Sequence, residues 1–229
     1  MNICLVAATA AEVPHFARQI PEYNGHLAPG SYQISAFKVH HLTLLITGAG
    51  IAHSTYYITE LLSKKQFDLC IQAGICGAFN PILQIGEVVE ITAEKFAQTG
   101  AENGDGFLDI IELGLQNKDE FPYKNGWLEN AAKPLHCLHK IQKVKAITVD
   151  TVHGNDETIA RTIIKYDPDV ESMEGAAFFY CCSMKKVPFL QIRSISNYVE
   201  KRNKVNWNIP IAVESLNVFI VQLFNELTT

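Results

Sequence analysis

Three polar side chains in apolar surroundings are the residues of this sequence best placed to do chemistry. Glu12 closes the run ICLVAATAAE, Glu174 heads the run GAAFFYCC, and Asn197 follows FLQIRSIS. A carboxylate buried without a partner costs several kcal/mol, so each glutamate requires a cation, a set of N–H donors or a ligand with hydroxyls to donate. A carboxylate of that kind can take a proton from water or hold a diol, and an amide both donates and accepts. Taken singly, each has a plainer structural role: a helix start for Glu12, a salt bridge for Glu174, a turn for Asn197.

The elements that would position them follow an α/β alternation. Strand-type runs occur at ICLVAA, YQISAFKV, LTLLITG, LCIQAG, EVVEIT, KAITV and FLQIRSIS. The spacing predicts helices over Ala11–Arg18, Ile51–Ser63, Asn155–Lys165, Gly175–Met184 and Ile209–Leu227. In open α/β sheets ligands bind beyond the carboxyl ends of strands, where all three residues fall. No linker or internal repeat divides the chain, which predicts one domain over residues 1–229. A glycine-rich stretch from Thr99 to Asn125 reads as a long irregular loop of the kind that carries function.

Composition narrows the partners. With 48% hydrophobic and 19% charged residues and a net charge of −5, the chain has a globular balance and no basic block for nucleic acid or an anionic membrane. Small molecules are the expected partners. The amino-terminal apolar run lacks a basic leader and is broken by Glu12, so it reads as a first strand and the protein as cytoplasmic. The six cysteines (4, 70, 76, 137, 181 and 182) lie mostly in apolar runs, as reduced packing thiols do.

Several motifs fail on inspection. LLITGAGIAHS approaches a dinucleotide-binding turn but has His53 where the third glycine belongs, although Gly48 and Gly50 still point to a close backbone approach. AENGDGFLDIIE approaches a calcium loop but begins with Ala101 where a carboxylate is needed. HCLH, with His136, Cys137 and His139, has no second cluster to complete a zinc site, and His40 and His41 fall on opposite faces of a strand. No metal is expected.

Against that background a resemblance carries weight. VESMEGAAFFYCCSMKKVPFLQIRSISNYV resembles the signature region of the nucleoside phosphorylase/nucleosidase superfamily, AGICGAF its glycine-rich loop, and VAATAAEV the amino terminus of its hydrolase branch, the methylthioadenosine/S-adenosylhomocysteine nucleosidases. GAENGDGFLDIIELGL, MEGAAFF and SISNYV are most similar to the futalosine hydrolases of that superfamily. The resemblance implies an α/β phosphorylase/hydrolase-like fold, a central mixed sheet flanked by helices, and a homodimer or larger assembly acting on a purine nucleoside without metal or organic cofactor. It implies that Glu12 activates water, that Glu174 accepts from the ribose hydroxyls with Met173 packed against the sugar, and that Ile75, Cys76 and Gly77 line the base and sugar. Asn197, oriented by Ser196, would meet the base, where its amide suits a 6-oxopurine and departs from the aspartate of the adenine-specific enzymes. Arg193 would be a site-wall residue, while Val152, His153, Phe107 and Trp207 are candidates for the walls around a 5′ substituent. The Gly100–Leu115 stretch would be a dimer element.

Overall fold

The computed structural model of the chain describes residues 1–18, 27–37, 40–130, 138 and 141–227, with residues 34–37 as backbone only. Its strands are β1 (Asn2–Ala7), β2 (Tyr32–Phe37), β3 (His40–Ile46), β4 (Leu69–Ala78), β5 (Val88–Phe96), β6 (Gly100–Asn103), β7 (Gly106–Asp109), β8 (Tyr123–Lys124), β9 (Trp127–Glu129), β10 (Gln142–Thr148), β11 (Val170–Ser172) and β12 (Phe189–Tyr198). The α-helices are α1 (Pro14–Ala17), α2 (Ile51–Lys64), α3 (Asp156–Tyr166), α4 (Gly175–Lys185) and α5 (Ile209–Glu226).

The sheet is mixed, as expected. β3, β1, β4 and β12 run parallel, so their carboxyl ends share one edge. β4 is the pivot. Its first half pairs with β1 and its last two residues with β11, while β12 runs along its other side. β12 continues onto β5, β5 onto β10, β10 onto β11, and β11 back onto β4, which closes a ring of five strands within the larger sheet.

Helices cover this sheet with the apolar faces their sequences predict. α5 turns Ala212, Leu216, Ile220, Leu223 and Phe224 into the core, so an 18-residue apolar helix is accounted for by packing against strands. α4 is buried almost throughout, with Phe178 and Phe179 fully enclosed beside Phe189 of β12 at ring-centroid distances of 5.6 and 4.8 Å. α3 is capped by Asn155, whose side-chain oxygen accepts from the N–H groups of Glu157 and Thr158.

Three expectations change. The helix predicted over Ala11–Arg18 shrinks to one turn at Pro14–Ala17, because residues 9–13 form turns in which the Glu12 carboxylate itself accepts from Thr9 N–H. The long irregular loop predicted from Thr99 to Asn125 is irregular only over residues 110–122. Residues 100–109 make the hairpin β6–β7, which turns at Gly104 (φ 60°) and Asp105, and Tyr123 begins β8. β11 went unread because three residues carry too little periodicity to declare a strand. His136, Cys137 and His139 lie outside the described residues, whereas His40 is buried and His41 exposed, on opposite faces as expected. Cys4, Cys70, Cys76, Cys181 and Cys182 are free and buried.

The aromatic contact of Phe179 at the α4–β12 seam sets the stability of the wall that carries the site. Phe179→Ala should cost about 3–5 kcal/mol of unfolding free energy, read by denaturant titration.

Candidate active site

Glu12 sits at the turn that leaves β1, 8% exposed. One carboxylate oxygen accepts from Thr9 N (2.9 Å) and lies 3.3 Å from the Thr9 hydroxyl, and the other accepts from Ile75 N (3.2 Å) in β4. The turn is also held from behind. Asn217 of α5 donates to the Glu12 carbonyl (2.8 Å) and accepts from His15 N (3.3 Å). Nothing in an apolar, periodic helix marks Asn217 in the sequence except that it is a polar residue on the buried face.

Glu174 answers to a different element. Its Oε1 accepts from Gly50 N (3.1 Å) at the start of α2, where the positive end of the helix dipole favours an anion. Gly50 has φ 94° and Gly48 φ 82°, conformations open to glycine at little cost, and these set the N–H on the carboxylate. The other oxygen lies 3.6 Å from Arg193 Nη2. The backbone approach anticipated there is that of Gly50 N–H to Glu174, while Gly48 N–H donates to the Ala8 carbonyl.

Arg193, on β12, is 2% exposed; it pairs with Glu174, and Glu12 also lies in its field. It lies opposite Gly74 of β4, and this pairing explains the glycine. A Cβ at Gly74 would stand 2.2 Å from Arg193 Nη1 and 2.9 Å from Glu12 Oε1. The missing side chain leaves a space that Arg193 Nη1 and Glu12 Oε1 both border. Nη1 donates to the Ile75 carbonyl (3.3 Å), while Nε and Nη2 have no hydrogen-bond acceptor among the described residues.

Asn197 reaches the same edge through a bulge. Along β12 the register with β4 is regular up to Ile195 opposite Cys76, then skips Ser196 so that Asn197 faces Gly77. Such an insertion re-aims the side chains that follow it. Gly77 again leaves room, since a Cβ there would lie 3.2 Å from Asn197 Nδ2. The Ser196 hydroxyl lies 2.8 Å from Asn197 Oδ1 and 3.1 Å from the Cys76 carbonyl, and Asn197 Nδ2 donates to the Tyr198 carbonyl (3.0 Å). The amide orientation is thus fixed, with one N–H and an oxygen lone pair left over.

The remaining predicted residues divide. Ile75, Cys76 and Gly77 line this edge of β4, with Cys76 buried and its thiol pushed up to about 12 by burial. Met173 is half-buried on the turn before Glu174. Trp207 lies under the Arg202 guanidinium (5.4 Å), and the next residue, Asn208, donates from its backbone to the Ser196 carbonyl, which ties this segment to the Asn197 side. Val152 packs against a small apolar cluster with Ile147, Val149 and Tyr166. His153 is held by Glu171, through its backbone N–H (3.0 Å) and Nδ1 (2.5 Å), and by the Thr162 hydroxyl at Nε2 (2.8 Å). With Phe107 and Arg161 it lines a separate hollow of about 580 Å³ between the β6–β7 hairpin and α3. A larger hollow, about 940 Å³, lies at the opposite ends of the strands, around Leu69, Phe189 and Leu190. It contains none of the residues that share Arg193.

Residues 2–225 match the family model described as the Phosphorylase superfamily. The chain belongs to that superfamily. Among relatives of this phosphorylase-superfamily member, a futalosine hydrolase from Streptomyces coelicolor is 27% identical over 94% of this chain and 92% of its own. An aminodeoxyfutalosine nucleosidase from Campylobacter jejuni is 25% identical over 86% of each. The native structure of the futalosine hydrolase of Helicobacter pylori superposes with a TM-score of 0.81 over 99% of this chain and 98% of that one, at 14% identity, and so shares the fold.

Electrostatics within this superfamily member centre on a third carboxyl that the sequence did not single out. Glu94 of β5 is fully buried, accepting from Gln191 Nε2 (2.8 Å) and from the Thr148 hydroxyl (2.9 Å). Burial raises its pKa from 4.5 to about 7, assisted by Glu174 and opposed by Gln191, Arg193 and Thr148. Burial also raises Glu12, with Glu174 adding to the shift and Arg193, Thr9 and Ile75 opposing it. For a carboxyl raised in the native state, folding retains a proton that the unfolded chain releases. The stabilising contribution of Glu94 is therefore complete below pH 4.5 and is lost as pH rises to about 7. Unfolding free energy over that window should fall by on the order of 3 kcal/mol more in the wild type than in Glu94→Gln, measured by denaturant titration at each pH.

Proposed function

We propose that this protein is a purine nucleosidase that hydrolyses the N-glycosidic bond of futalosine, giving hypoxanthine and dehypoxanthinylfutalosine, a step of menaquinone biosynthesis. The observation that carries the hydrolytic reading is the position of Glu12. The guanidinium that would otherwise hold an anionic nucleophile is paired with Glu174 and lies in the field of Glu12, whose Oε1 borders the space at Gly74. A phosphate entering there would meet two negative charges, whereas water meets a proton acceptor whose affinity for a proton is raised by burial. Glu12 takes a proton as the water oxygen attacks C1′, the glycosidic electrons pass to the base, and that proton is then given up to the departing base through solvent, so the products balance with water alone and Glu12 is regenerated.

Glu174 serves the sugar in this reading. With one oxygen on Gly50 N and the other toward Arg193, it keeps lone pairs for the ribose 2′- and 3′-hydroxyls. Each such charge-assisted hydrogen bond is worth about 1.5–3 kcal/mol, and the anion favours a sugar that gains positive character as the bond lengthens. Met173 packs on the sugar, and Ile75, Cys76 and Gly77 form the wall of β4. Asn197 serves the base. Its fixed amide offers a donor to a 6-oxo group and an acceptor to a protonated N7, a pattern complementary to hypoxanthine and mismatched to adenine. Trp207, adjacent to the Ser196 carbonyl contact, is read as a wall of this end. Val152, His153 and Phe107 stand with the 5′ side, where the hollow beside Arg161 supports the assignment. We place the protein in the cytoplasm as a homodimer or larger assembly. The exposure of Leu115 and Ile164 near that hollow supports an interface.

One observation favours a second reading, a 6-oxopurine nucleoside phosphorylase. Arg193 Nε and Nη2 are buried without acceptors among the described residues, and phosphate oxygens would satisfy them. Chromatographic release of free base decides between the two. Purified protein incubated with futalosine, inosine and methylthioadenosine, with and without phosphate, should liberate hypoxanthine from futalosine at the same rate in both conditions. Phosphate-dependent release from inosine would establish the phosphorylase, and adenine from methylthioadenosine the adenine-specific nucleosidase.

Two variants separate the roles. Glu12→Gln should lower turnover by about 10²–10⁴ with ligand affinity retained, measured by steady-state rates and calorimetric titration. Asn197→Asp should move the kcat/KM ratio toward 6-aminopurine nucleosides, measured by competition between the two substrate types.

A further inference from the structure

Glu174 occupies the N-cap position of α4, yet its side chain makes no capping hydrogen bond. A residue there ordinarily turns its oxygen back onto the free N–H groups of the first turn. In this protein two of those groups already have partners. Gly175 N donates to the Ser172 hydroxyl (3.3 Å) and Ala176 N to the Thr148 hydroxyl (2.7 Å), and Thr148 in turn donates to Glu94 (2.9 Å). The helix start lies directly on the Glu94 carboxyl. A Cβ at Gly175 would fall 1.7 Å from Glu94 Oε1 and 2.6 Å from Gln191 Nε2, so only glycine permits this contact. Glu94, Thr148 and Gln191 are each completely buried and come from three different strands of the closed ring, which makes their arrangement rigid.

We infer that Glu94 is a positioning residue: acting through Thr148, it takes over the capping of α4 and so leaves the Glu174 carboxylate free to face the ligand. The inference rests on the proposed role of Glu174 toward the ribose diol. Loss of the Thr148 hydroxyl frees the Ala176 N–H, and loss of Glu94 removes the acceptor that aims that hydroxyl; Glu174, at the N-cap two residues earlier, is then the side chain placed to cap the helix. The carboxylate then turns from the sugar toward its own helix.

The test compares futalosine with its 2′-deoxy analogue in wild type, Glu174→Gln, Glu94→Gln and Thr148→Val. Thr148→Val keeps the shape of the side chain while removing the hydroxyl, and it carries the test if Glu94→Gln fails to fold. Glu174→Gln should abolish most of the preference for the ribo substrate in kcat/KM. Glu94→Gln and Thr148→Val should each reduce that preference by about 10-fold, the effect of a displaced charge-assisted hydrogen bond, with the affinity for free hypoxanthine unchanged. Equal losses on both substrates, with the preference intact, would assign Glu94 a purely structural role and overturn the inference. A preference untouched in Glu174→Gln would instead overturn the reading of Glu174 itself, and the two failures are thereby distinct.

Discussion

Two carboxylates and one guanidinium, all nearly excluded from water, form the interaction on which the rest of this structure depends. Glu12, Glu174 and Arg193 are at most 8% exposed. Ions in such a place are stable only where geometry and additional hydrogen bonds return what desolvation removes. Each side chain is accordingly fixed by backbone: Glu12 by Thr9 and Ile75, Glu174 by Gly50, Arg193 by the Ile75 carbonyl. The glycines at 50 and 74 follow from this requirement, one by turning an N–H onto an anion and the other by leaving volume for a cation. A charge cluster organised before any ligand arrives needs no rearrangement at the moment of bond breaking, which is the condition under which electrostatic stabilisation is most effective.

Much of this arrangement was legible in the sequence. The alternation of strands and helices, the carboxyl-end placement of Glu12, Glu174 and Asn197, and the close approach at Gly48 and Gly50 are properties of local pattern, and local pattern survives folding when packing agrees with it. What could not be read depends on contacts between distant segments. Gly74 faces Arg193 only because β4 and β12 pair in one register, and Asn217 meets Glu12 across 205 residues of chain. Glu94 looked like any acidic residue in an alternating strand, since nothing in EVVEITAEKF announces that one of its glutamates lies beneath a helix. The β6–β7 hairpin was hidden for the opposite reason. Glycine and aspartate mark turns reliably but do not say whether the turn joins strands or belongs to a loop.

The arrangement also places different tasks on separate pieces of backbone. β1 and its turn carry the proton acceptor, the β11–α4 junction carries the group assigned to the sugar, and the bulged end of β12 carries the amide assigned to the base. Because Asn197 follows a bulge, its direction is set independently of Arg193 four residues earlier. The amide proposed to read the base can thus change at residue 197 without disturbing the charges at residue 193. Gln191 completes the series on the same strand, where it joins Glu94 to the ring interior.

The closed ring has a consequence for how the protein comes into being. β12 is the last strand in the chain, and it must enter between β4 and β5, whose edges are separated from it by roughly a hundred residues of sequence. Contacts of such separation form late and slowly, because loop closure has to precede them. Arg193 and Asn197 both ride on that strand. A nascent chain emerging from the ribosome, or a fragment truncated before β12, therefore holds two unneutralised acidic residues and no working site. Catalytic competence and completion of the fold arrive in the same event.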